Sequence, residues 1–388
     1  MHPMNLSARE ILDQLVGFRS VSHVSNLDLI DWVEGYLASH GVKSYRVYNA
    51  DGTKAALFAN VGPEVEGGVI LSGHSDVVPV EGQDWATDPF TVVERDGRLY
   101  GRGTCDMKGF VALALAAVPL ALAAGVKRPL QIAISYDEEV GCTGAPPMIA
   151  QMVKTLPRAA AVVVGEPSMM RLVNGHKGGH GFAVHVQGFE VHSSLQHTGV
   201  NAIMTAARLI DWANIINAEN AAKPATALGQ GFVPHWTTAH VGKIQGGTAE
   251  NITAKDCHFG FGFRVVPGES EEAWAQRFKD KAAEIEAEIQ AIRPEAAITL
   301  TQTFYVPGLV PEQNGAADHL VRRLTGDNGS EVVSYGTEAG QFQAEGYSCV
   351  VCGPGDIAQA HQPNEYLEVA QFNEAWGFMQ RLVKDLAE

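Results

Sequence analysis

The chain has 388 residues, with 44 Asp and Glu against 28 Lys and Arg and a formal net charge of −16. That length accommodates two or three domains, and a hydrophobic fraction of 46% supplies their cores. The acid excess excludes a general nucleic-acid binder and a protein that docks on anionic lipid, because both need a basic surface.

In chain order, Ser7-Ala8-Arg9-Glu10 forms a capping box that opens a helix with Ile11, Leu15 and Phe18 on one face. Arg9, Glu10 and Asp13 rule out a secretory h-region here. Strand-like apolar runs follow at Ala55–Val61, 69–80, 130–136 and 159–165, separated by helical segments at Leu27–Ser39 and after Lys108. Residues 109–126 carry no charge and imitate a short membrane span, but Pro119 and Gly125 interrupt them, so a buried helix is expected and no membrane partner. From about Gly178 the pattern changes to a strand at 182–186, a helix at about 200–218, and strands at 235–244 and 256–266. An amphipathic helix at 271–292 and a strand at 296–304 complete it. The helix carries Trp274, Phe278, Ala282, Ile285, Ile289 and Ile292 on one stripe. Strand-helix-strand-strand-helix-strand is the ferredoxin-like order. The expected architecture is α/β: a mostly parallel central sheet with helices on both faces, built from residues 1–178 and 308–388. An α+β ferredoxin-like domain is inserted at 179–307.

Cys105, Cys142, Cys257, Cys349 and Cys352 are too few for a disulfide framework and fit a reducing, cytoplasmic compartment. Cys349 and Cys352 lie in an apolar run and read as core. The chain has no G-x-S-x-G, no P-loop and no H-E-x-x-H. The segment from Gly101 to Asp106 starts like a dinucleotide fingerprint but has Asp106 where the third glycine belongs.

Acids and imidazoles instead collect where strands end. His74 and Asp76 end the second apolar run, and Asp106 precedes the buried helix. Glu138 and Glu139 follow the third run, Glu166 follows the fourth, and His361 follows the strand near Cys352. In a parallel sheet, ligands gather beyond the carboxyl ends of the strands. Two His and several carboxylates delivered there suit first-row divalent metals such as zinc.

These motifs are His-Ser-Asp at 74–76, Gly-Arg-Gly-x-x-Asp-Met-Lys-Gly at 101–109, Asp-Glu-Glu at 137–139, Gly-Glu-Pro at 165–167 and Ala-His-Gln-Pro-Asn-Glu-Tyr at 360–366. In this order they resemble the dinuclear metallohydrolase family of acetylornithine deacetylase, succinyl-diaminopimelate desuccinylase, aminoacylase and glutamate carboxypeptidase. Tyr335–Ala339, His192-Ser193-Ser194 and Gly199–Ala202 are most similar to its acetylornithine deacetylase branch. The resemblance implies two divalent metal ions, zinc first, with cobalt or manganese as alternatives. His74 and Glu166 would hold one, Glu139 and His361 the other, and Asp106 would bridge them and be followed by a cis Asp106–Met107 peptide. Asp76 would accept a hydrogen bond from His74, and Glu138 would be the general base. His192 would steady the oxyanion, Asn251 would contact substrate, and Arg264 would grip the substrate's carboxylate. Gly262 departs from the family, which often has an acid two residues before that arginine.

The implied activity is hydrolysis of a small N-acyl amino acid, N2-acetylornithine in first place, a step of arginine biosynthesis. Another acyl-amino-acid hydrolase, a desuccinylase or a dipeptidase is the near alternative, and a non-catalytic binding relative the remote one. The inserted domain would act as lid and mediate a homodimer.

Overall fold

Continuous apolar runs form the middle of an eight-stranded sheet in the computed structural model, which describes residues 3–388. Across the sheet the strands are Ser44–Tyr48, Ala55–Val61, Leu130–Ser135, Val69–His74, Ala161–Pro167, Cys349–Gly353, Val173–His176 and Glu331–Val333. The four from Leu130–Ser135 to Cys349–Gly353 run parallel and are buried along their whole length. Total burial is what a sheet covered on both faces requires. Ala55–Val61 and Val173–His176 join it antiparallel. Leu57, Leu71, Ile132 and Val163 share one core with the helices Ala8–Gly17, Lys108–Ala124 and Val369–Ala387. Ala145–Thr155 and Ala339–Ala344 also pack on the sheet. Cys349 and Cys352 are buried in their strand, and all five cysteines are free.

Two expectations are corrected here. The strand expected over 69–80 ends at His74, because by Val77 the backbone bonds instead to Ser20 and Ser22. Val77 belongs to a small separate cluster with Val21 and Phe90, which accounts for the extra apolar residues. Pro119 does not break the buried helix, which runs unbroken over Lys108–Ala124 to Gly125 in the left-handed region. A proline cannot donate to the carbonyl four residues earlier. Here that carbonyl is Leu115 O, and the buried Tyr36 hydroxyl donates to it at 3.3 Å. Among the described residues, no helix is long and apolar enough to cross a membrane.

The chain divides into two compact units, and the second comprises His176–Val310 with Val333–Gly336. It therefore begins earlier and ends later than the expected 179–307, and it recruits a late segment whose Val333 O accepts from Lys177 N. Its antiparallel sheet has the order Thr238–His240, Asp256–Val265, Gly178–Gln187, Ala297–Val306. The strand expected over 235–244 is split into Thr238–His240 and Ile244–Gly246, both pairing with Asp256–Val265. Alternate residues Val184, Val186, Phe259, Phe261 and Phe263 meet the helices Ala202–Ala221 and Glu271–Gln290 in one core. Phe261 stacks on Phe278 with centroids 3.9 Å apart. The opposite side of the sheet carries the polar residues of the same strands.

Replacing Tyr36 by Phe leaves Leu115 O buried without a donor and is expected to cost about 1–3 kcal/mol. Adding Pro119→Ala to that variant supplies an amide at the same carbonyl and recovers most of the loss. Chemical denaturation of the wild type, both single variants and the pair measures the coupling, and strictly additive effects would refute the link.

Candidate metal centre

Three parallel strands aim their carboxyl ends at one place in the first unit. His74 is the last residue of Val69–His74, Glu166 lies at the end of Ala161–Pro167, and Glu138 and Glu139 follow Leu130–Ser135. Asp106 precedes the buried helix, whose N-cap is Met107 and lacks any side-chain cap, so the Asp106 carboxylate is free for other work. The Asp106–Met107 peptide is cis. Asp137 and His361 adopt left-handed φ values of 55° and 63° beside the cluster. Such backbone costs non-glycine residues of order 1–3 kcal/mol and gathers at functional sites.

Asp106 stands between the two imidazoles. Its Oδ1 is 3.1 Å from His74 Nε2, and its Oδ2 is 3.3 Å from His361 Nε2. His361 Nε2 also lies 2.9 Å from Glu139 Oε2, and His74 Nε2 lies 3.6 Å from Glu166 Oε1. Donor atoms of His74, Asp106 and Glu139 fall within 4.8 Å of one another, as do those of His74, Glu138 and Glu166. Glu138 is therefore within ligand reach too. Glu139 Oε1 and Glu166 Oε1 are buried with no hydrogen-bond partner. Buried carboxylate oxygens are rarely left so. Imidazole and carboxylate donors, with orphaned oxygens among them, fit divalent cations.

The electrostatics point the same way. Burial first, then the charges of Glu139 and Asp106, push Glu138 up to about 8. Burial and Asp106 push Glu139 up to about 7. Glu166 rises well above the carboxylate range for the same two reasons. His361 is held up at about 10 by its hydrogen bonds to Asp106 and Glu139. Burial alone would raise Asp106, but the hydrogen bonds from His361 and His74 outweigh it and hold this carboxyl low.

Asp76 does something other than expected. His74 Nδ1 bonds the backbone carbonyl of Asp76 at 2.9 Å, while the Asp76 carboxylate stays 3.6 Å away. That carboxylate instead accepts the Ser22 hydroxyl at 2.8 Å and the backbone N–H groups of Glu138 and Glu139 at 3.2 and 3.4 Å. The short loop between His74 and Asp76 turns the nearer carbonyl toward the ring, so the tautomer is set by backbone and Asp76 pins the two-glutamate turn. Glu365 is a second such residue, quoted in its motif but given no role. It accepts the N–H groups of Gly103, Cys105 and Asp106 at 3.1, 2.9 and 3.1 Å. It also pairs with buried Arg102 at 2.7 Å. The signal available in sequence was one Arg and one Glu in two separate motifs. Cys142 Sγ donates to Glu138 Oε1 at 3.3 Å.

His192, Asn251 and Arg264 lie in the second unit. His192 caps the short helix Ser193–Thr198, and its Nδ1 accepts the Ser194 N–H at 3.2 Å, which leaves the proton on Nε2. Ser193 N donates to Asn251 O at 3.0 Å, so the His192 and Asn251 loops are joined. Arg264 is exposed on the helix-free side of the sheet, and among the described residues no carboxylate pairs with it.

A carboxyl or imidazole whose value is raised in the folded state binds more protons folded than unfolded between its two values. Glu138, Glu139 and His361 all act in this sense, so the metal-free protein loses stability as pH rises from about 5 to about 9. Thermal melts of chelated protein across this window should show a falling Tm, flatter in Glu138→Gln, and zinc should restore the loss at the upper end. A Tm that holds level or climbs would contradict the cluster's charge balance.

Residues 70–385 match Peptidase family M20/M25/M40. The chain is 35% identical over 375 residues to a curated acetylornithine deacetylase of Myxococcus xanthus, covering 93% of this chain and 92% of that protein. An M20 family metallo-carboxypeptidase from Sulfolobus solfataricus has a TM-score of 0.79 at 16% identity, over 98% of this chain and 99% of that one. A tripeptidase from Staphylococcus aureus has a TM-score of 0.74 at 20% identity, over 98% of each chain. Likeness at these identities speaks for the fold, whereas the family match and the deacetylase relative speak for the chemistry. The chain belongs to peptidase family M20/M25/M40, and it is a metal-dependent amide hydrolase.

Proposed function

We propose that the protein removes the acetyl group from N2-acetylornithine, giving ornithine and acetate in the cytoplasm. The carrying observation is the gathering of His74, Asp106, Glu139, Glu166 and His361 around orphaned carboxylate oxygens, with Glu138 beside them. The deacetylase relative supports an acetylated amino acid as substrate.

In this reading His74 and Glu166 hold one divalent cation, Glu139 and His361 a second, and Asp106 is shared. Zinc is the first choice, with cobalt or manganese tolerating the same donors. When bound, such cations polarise the amide carbonyl and bring the pKa of water toward neutrality. Glu138 is the general base. Its Oε1 accepts the Cys142 thiol, leaving Oε2 to take a proton from water and hand it to the departing nitrogen. Asp76 positions Glu138 through its backbone N–H.

The first unit is the metal-binding catalytic domain, and the second is the lid that mediates a homodimer. His192 steadies the oxyanion with Nε2–H, Asn251 contacts the substrate, and Arg264 receives its carboxylate in a two-point fork. The unpaired guanidinium supports that role, since an arginine already bridged to a carboxylate would have to be released first.

Glu138→Gln is expected to retain its metal and lose about 10²–10⁴-fold in kcat. Metal analysis alongside turnover checks both halves, and near wild-type turnover would sink the mechanism. Arg264→Lys keeps the charge but not the fork, so KM should rise for acetyl-amino acids while an acetylated amine lacking the carboxylate is hydrolysed unchanged. A hydrolysis panel of acetyl-, succinyl- and dipeptide substrates, with metal and with chelator, tests the substrate class. Fastest turnover of succinyl or dipeptide substrates would overturn the acetylornithine assignment.

A further inference from the structure

Away from that centre, imidazole and carboxylate donors gather once more among the described residues, at His185, Asp256 and His258. All three are in the second unit. His185 and His258 face each other directly across the antiparallel strands Gly178–Gln187 and Asp256–Val265. Facing residues hold their Cβ atoms about 4.5–5.5 Å apart. Asp256 lies two residues before His258, and a period of two puts it on the same side of the sheet. The other side is filled by Val184, Val186, Cys257 and Phe259 in the core, so the three donors point away from the helices. His185 and His258 border a hollow of about 1060 Å³ on the sheet's helix-free side.

The geometry within the group is close. The imidazoles stack with centroids 4.1 Å apart and planes 12° from parallel. His185 Nε2 is 2.8 Å from Asp256 Oδ1, and one donor atom from each residue lies within 4.8 Å of the others. An ordinary His–Asp pair accounts for two of these side chains. It does not account for His258, whose ring has no hydrogen-bond partner among the described residues and needs only to turn out of the stack to bring a nitrogen to an ion beside the pair. Two imidazole nitrogens and one carboxylate oxygen are a zinc ligand set, and they leave a fourth position to water or another ligand. His185 and Asp256 are half-buried and His258 is exposed, so an ion can enter without opening the fold.

We propose that His185, Asp256 and His258 form a further divalent-metal site, separate from the catalytic cluster and suited to zinc. Bound metal ties the two long strands of the second unit together across their open face. The proposal does not depend on the substrate or on which residue acts as base.

The test is equilibrium dialysis of the full chain against Zn²⁺, with bound metal counted by atomic emission. Wild type is compared with His258→Ala and with His258→Gln, which preserves bulk. Metals at the catalytic cluster are common to all three proteins and cancel in the difference. Each variant is expected to bind one equivalent less than wild type and to hydrolyse substrate at the same rate. Equal zinc content in all three would overturn the site. Loss of hydrolysis in every protein with the one-equivalent difference intact would count against the proposed function and leave this site standing.

Discussion

The first unit is organised around a concentration of like charge. Asp76, Asp106, Glu138, Glu139 and Glu166 converge on two imidazoles at the carboxyl edge of a parallel sheet. Among the described residues, no lysine or arginine forms an ion pair with any of the five. The nearby basic groups are committed elsewhere: Arg102 to Glu365, and Lys108 Nζ to the carbonyl of Phe18. A buried cluster of carboxylates without basic partners is unfavourable by both desolvation and repulsion, and protons or cations must relieve it. The raised values of Glu138, Glu139 and Glu166 are the proton-bound solution to that constraint.

Holding such a cluster in one geometry demands supports that do not move with it. Two carboxylates outside the ligand set provide them by accepting backbone N–H groups. Asp76 ties the Glu138–Glu139 turn to the strand carrying His74, and Glu365 ties the amides of Gly103, Cys105 and Asp106 to the segment carrying His361. The buried Arg102–Glu365 pair makes the second tie sensitive, because removing one partner leaves the other charge unpaired and typically costs 3–5 kcal/mol. Each ligand loop is thus fixed to a rigid element by backbone, and the side chains remain available.

The local pattern of acids and histidines at strand ends was legible in the chain, because the apolar runs before Glu138 and Glu166 end abruptly at acids. Asp106, read against a helix start, could equally have been a cap until Met107 took that position. Helix ends set by local chemistry were also legible: Ser7 and Glu10 cap one another as their spacing requires. What sequence could not supply is pairing between distant segments. Tyr36 and Leu115, Glu365 and the 103–106 amides, and His185 opposite His258 are each fixed by packing or register. The run over 69–80 departs from a single strand for a related reason: apolar residues look alike whether they stay in a sheet or leave it for a second cluster.

In the proposed function, the charge of the first unit accounts for assigning carboxylate recognition to the second. An acetylated amino acid carries its own carboxylate, and a cluster of five acids repels it in proportion to their proximity. Binding that group needs a cation that is not already spent. The second unit offers Arg264, set on an open sheet face by the same alternation that sends Phe261 and Phe263 into the core. Strand parity therefore does in this unit what strand ends do in the other. It delivers polar side chains to one side at fixed intervals, so that a few substitutions on that side can change what is held without disturbing the packing beneath.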